Sequence, residues 1–75
     1  PNPVADALFL NVQQSGSHDV VLRDAAGRTV YRQHLAPGER QLVVQRADFA
    51  AGAGLYFLEV AAANGERQHQ RIVVQ

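Results

Sequence analysis

Leu55-Tyr56-Phe57-Leu58-Glu59-Val60 places Tyr56, Leu58 and Val60 on one side of an extended chain. A two-residue apolar period in a run of aromatic and β-branched residues specifies a strand, and the most apolar such run is expected at the centre of its sheet. Asn64-Gly65 follows it, the strongest short hairpin signal. A type I′ turn, in which both central residues take φ > 0, is expected there. The chain then returns from Arg67 to Val74, with Ile72 and Val74 facing the core and Arg71 and Val73 outward.

The same period recurs toward the N-terminus. Ala7 to Val12 puts Leu8, Leu10 and Val12 on one face, and Gln13-Gln14-Ser15-Gly16-Ser17 supplies a polar loop. His18 to Asp24 puts Val20 and Leu22 on one side and Val21 and Arg23 on the other. Asp24-Ala25-Ala26-Gly27 closes that strand in a tight hairpin, with Gly27 where φ > 0 is needed. Arg28 to Gln33 is the hairpin partner, Ala36-Pro37-Gly38-Glu39 breaks it, and Gln41 to Gln45 forms another strand. Ala47 to Gly54 is too rich in Gly and Ala for a strand and has room for one helical turn. Roughly six to seven short strands, separated by turn signals at about 8–12-residue intervals, predict an all-β fold: a small antiparallel immunoglobulin-like β-sandwich, one domain over residues 1–75.

A chain of 75 residues buries only about 60% of its unfolded surface, leaving little core in which to carve a deep catalytic cavity. No enzyme activity is expected. Seven basic residues, all arginine, balance seven acidic ones. That leaves no surplus of positive charge for nucleic acid or anionic lipid. Cysteine is absent, which removes disulfides, thiolate metal sites and thiol nucleophiles. No apolar run approaches the roughly 18 residues that span a bilayer, so no direct membrane insertion is expected. Pro1-Asn2-Pro3-Val4 lacks the pattern of a secretory signal. It is expected to be the start of a domain cut from a longer protein.

Candidate chemistry is sparse. His18, His34 and His69 could converge on a metal, but no pair has ligand spacing within one element, so a solvated surface position is expected for each. His18-Asp19 with Ser15 or Ser17 contains the residue types of an acyl-transfer triad, which needs a base and an orienting group held rigidly. Asp6, Asp19, Asp24 and Asp48 fall in or beside turns, where aspartates bond to backbone N–H groups two residues on. Gly27-Arg28 and Gly52-Ala53-Gly54 open no helix, as a phosphate-binding loop must. No cofactor and no metal are expected.

The order of the turn signals carries more information than any one of them. Pro1-Asn2-Pro3 opens the chain and Asp24-Ala25-Ala26-Gly27-Arg28-Thr29-Val30 reads D-x-x-G-R-x-V. Asp48-Phe49-Ala50-Ala51-Gly52 and Gly54-Leu55-Tyr56 lead into a strand in the manner of L-x-x-G-x-Y, with Ala53-Gly54 as a two-residue insertion. Gly65-Glu66-Arg67 and Arg71-Ile72-Val73-Val74 make a basic, then apolar terminus, with Arg where Lys is frequent, and Arg46-Ala47 stands where an apolar residue and Ser are common. In this order, over essentially the whole chain, it resembles the C-terminal sorting domain of proteins exported by the bacterial type IX secretion system.

The resemblance implies a secretion signal that directs an N-terminal passenger across the outer membrane. The partners it implies are the outer-membrane machinery, a sortase-like peptidase that removes the domain, and the passenger itself. It implies passage through the periplasm and a final location outside the cell or on its surface. Arg67, Arg71, Ile72, Val73 and Val74 become the candidate recognition residues, while Pro1, Asn2, Pro3, Gly27, Arg28, Gly54 and Tyr56 are the motif positions. The competing reading is a structural or carbohydrate-binding sandwich of a secreted hydrolase. Sugar binding calls for exposed planar aromatics, and the chain has no Trp.

Overall fold

The computed structural model describes residues 3–4, 6–13, 15–49 and 52–75. Seven strands and one helical turn follow in the order β1 (Pro3–Val4), β2 (Ala7–Asn11), β3 (His18–Asp24), β4 (Thr29–Leu35), β5 (Gln41–Gln45), α1 (Arg46–Phe49), β6 (Gly54–Ala62) and β7 (Arg67–Val74). They form a five-stranded sheet ordered β1-β7-β6-β3-β4 and a two-stranded sheet of β2 and β5. The all-β sandwich is therefore present, and every pair is antiparallel except β1 with β7. Two residues are too few to show a period, which is why β1 was not legible in advance.

The strand read as most apolar is central, with β3 on one side of β6 and β7 on the other. Register places Val20 opposite Val60, Leu22 opposite Leu58, and Tyr56 opposite Ile72, so these side chains share the inner face. Leu8 of β2, Val44 of β5, Leu35 of β4 and Phe49 of α1 complete the core from other directions. Fully burying such a side chain is worth about 1.5–3 kcal/mol relative to leaving it exposed. The helical turn for which Ala47–Gly54 has room is α1, which begins one residue earlier at Arg46 and delivers Phe49 to the core.

One turn differs from expectation. Among the described residues no side-chain-bearing residue has positive φ, so Asn64-Gly65 is not a type I′ turn. Gly65 N–H donates to the Ala62 carbonyl at 3.0 Å, and Ala62 N–H to the Glu66 carbonyl at 2.8 Å. This is a three-residue loop: a type I turn, then Gly65 alone in the left-handed region at φ 93°. Asn64 stays right-handed and its Oδ1 accepts the Glu66 N–H at 2.9 Å. The Asp24–Arg28 hairpin repeats the pattern, with Gly27 at φ 89°.

Candidate recognition surface

The motif residues are spent on the domain's own turns. Asp24 Oδ1 accepts the N–H groups of Ala26 at 3.0 Å and Arg28 at 2.9 Å, and Oδ2 accepts Arg28 Nε at 2.9 Å. The Arg28 N–H first, against desolvation, and then the Arg28 guanidinium and the Ala26 N–H hold the Asp24 carboxyl below its ordinary value of 3.8. Gly27 and Arg28 thus lock the β3–β4 hairpin. Tyr56 locks a corner: its hydroxyl donates to the Gly52 carbonyl at 3.0 Å, and its ring meets Phe49 edge-on at 5.5 Å. Gly54 opens β6 opposite Val74. Pro3 pairs with Val73 through β1, whereas Pro1 and Asn2 lie outside the described residues.

The terminal candidates divide by face. Ile72 and Val74 are buried, as their inward positions on the strand require, so their side chains hold the sandwich. Arg67, Arg71 and Val73 are exposed on the outer face of β7. Glu59, on β6 beside them, accepts Arg23 Nη1 on Oε1 at 2.9 Å and Arg67 Nη1 on Oε2 at 2.8 Å, with His69 Nε2 4.0 Å away. The Arg23 hydrogen bond first, against desolvation, and then the Arg67 charge keep the Glu59 carboxyl below its ordinary value of 4.5. Arg71 makes no hydrogen bond or ion pair among the described residues.

Three features mark this surface. Phe57 stands outward with Arg23 and Arg71 directly across from it, and Leu55 stands outward opposite Val73. Four arginines (Arg23, Arg32, Arg67 and Arg71) share this face with two carboxylates, Asp19 and Glu59. A chain of zero formal net charge therefore carries a local surplus of two positive charges here. The last feature is an open edge. β6 accompanies β7 along its length, but β1 covers only Val73 and Val74 on the other side. Among the described residues no strand pairs with that side of Arg67–Ile72. On the two-stranded sheet, Phe9 and Val43 also stand outward, directly across from each other.

The histidines do not converge. His34 Nδ1 lies 2.7 Å from Asp19 Oδ1, and both His34 and His69 are exposed. His18 contradicts the surface expectation. It is 4% exposed, and its Nδ1 has no partner among the described residues. Strand alternation sends His18 inward and Asp19 outward, which also dissolves the imagined triad. Among the described residues no group of three or more His, Asp or Glu is placed to hold a metal.

The sandwich uses its polar motifs to lock its own turns and, among the described residues, leaves a strand edge open beside a basic face that carries Phe57. The family model for the secretion system C-terminal sorting domain matches residues 1–75, the whole chain. The chain belongs to that family. It is a C-terminal sorting signal of the type IX secretion system, recognised by that system and serving export from the cell. The family is one of signals, not of catalysts. A search of curated proteins finds no match to the chain.

Proposed function

We propose that residues 1–75 are the terminal domain of a larger exported protein, whose N-terminal passenger crosses the periplasm and is delivered through the outer membrane because the machinery grips this domain in its folded form. A sorting signal has no work without cargo, which supports a passenger. A sortase-like peptidase then removes the domain, and the passenger is released or held at the cell surface. The observation that carries this reading is the open β7 edge with Arg67 and Arg71 beside it, since an unpaired edge offers backbone donors and acceptors without unfolding.

The test is a periplasmic reporter carrying this chain at its C-terminus in a bacterium with a type IX system. Reporter activity is expected outside the cell, with the domain absent from the exported product. Reporter retained in the periplasm with the domain folded, while the host's own cargo is exported, overturns the proposal.

A further inference from the structure

The stretch of β7 that no strand pairs with on one edge, among the described residues, is built differently on its two sides. On the outer side Arg67, His69 and Arg71 alternate along the strand, and the face behind them holds the surplus of arginine. On the inner side Gln68 and Gln70 rim a slot of about 360 Å³ whose other walls include Leu10 of β2 and Leu58 and Val60 of β6. The slot follows from the topology. Two strands face five, so the sandwich is left open beneath β7.

A strand added to this edge would send successive side chains alternately to the two sides. Those on the inner side would enter the slot, past its polar rim of Gln68, His69 and Gln70, and meet the apolar side chains of Leu10, Leu58 and Val60. Those on the outer side would lie next to Arg67, His69 and Arg71, within the cross-strand distance at which opposite charges attract and like charges repel. The edge at the far side of the same sheet, β4, lacks this combination: it does not line the slot, and α1 lies against it. We propose that the open edge of β7 binds, by strand addition, an extended segment of a partner protein in which apolar residues alternate with acidic ones. This rests on the reading of β7 as the gripped element and specifies the chemistry of the partner.

The probes are three short synthetic peptides, alternating Val with Glu, Val with Lys, and Ser with Glu. Each is titrated into the isotope-labelled 75-residue chain and followed by backbone amide shifts and hydrogen exchange. The Val/Glu peptide is expected to bind saturably, to shift amides from Arg67 to Arg71 together with Leu10, and to slow exchange along that edge. The other two peptides are expected to bind at least about tenfold more weakly, because each lacks one of the two complementary sides. Arg71→Glu, at a position with no internal partner, should weaken the Val/Glu peptide and strengthen the Val/Lys peptide, whereas Arg32→Glu on β4 should change neither.

Absence of saturable binding by a folded chain, equal affinity for all three peptides, or shifts confined to Thr29–Leu35 would overturn the proposal. The reporter experiment separates the two ideas. Export without edge binding removes this inference and leaves the sorting role, while edge binding without export does the reverse.

Discussion

Tyr56 serves the fold through both ends of its side chain. Its ring packs edge-on against Phe49, an arrangement worth about 0.5–1.5 kcal/mol beyond the area it buries. Its hydroxyl holds the Gly52 carbonyl at 3.0 Å. Tyr56→Phe keeps the ring and deletes only the hydrogen bond, and because Gly52 is exposed its carbonyl can return to water. Urea unfolding is expected to show a loss of about 0.5–1.5 kcal/mol. A loss above about 3 kcal/mol would mean that the hydroxyl supports more of the corner than this one contact. The residues were legible as a motif, whereas their partnership was not, because Phe49 and Tyr56 belong to different elements, α1 and β6, that meet only in the packed fold. His18 makes the same point in reverse. The alternation that sends Val20 and Leu22 inward carries His18 to the same face, but only the packed sandwich makes the first residue of β3 a buried one.

Across β3, β6 and β7 the charges form a ladder, Arg23 to Glu59 to Arg67, that no single strand contains. Glu59 and Asp24 both titrate lower in the folded chain than in the unfolded one. The unfolded state therefore binds more protons in the acid range, and stability rises with pH through it. The contribution is complete above the ordinary values, 4.5 for Glu59 and 3.8 for Asp24, and is lost as pH falls through the lowered folded values. Glu59→Gln removes one of the two titrating groups. The drop in Tm on acidification from about pH 6 to about pH 3 is expected to be shallower in Glu59→Gln than in wild type, with Asp24 still contributing. Parallel curves for the two proteins would show that Glu59 has no part in acid sensitivity.

The assembled domain has one small core, and Leu58 lies in it at 3% exposure while also lining the slot beneath β7. Total stability for a chain of this size is on the order of 5 kcal/mol. Leu58→Ala is expected to cost about 2–5 kcal/mol, from lost transfer energy and the cavity left behind. Tm should fall by at least about 8 °C, and secretion of any fused cargo should fall with it if the machinery reads the folded state. A Tm within about 2 °C of wild type would place Leu58 at solvent and shift the β6 register by one residue.

The strands from β2 to β7, the inward set Tyr56, Leu58, Val60, Ile72 and Val74, and the hairpins at Gly27 and Gly65 could be read from the chain, because periodicity and turn chemistry are local properties and each residue type acts on its immediate neighbours. Whether the turn at Gly65 is type I′ or type I with a left-handed glycine depends on the Asn64 side chain bonding to Glu66, a choice that sequence alone leaves open. Which strands lie side by side is a non-local matter. The gathering of four arginines on one face, the burial of His18, and, among the described residues, the bareness of β7 from Arg67 to Ile72 all arise from pairing between strands far apart in the chain. The burial of apolar faces between two sheets of unequal width selects that pairing, and it leaves the wider sheet with an edge that a partner strand can complete.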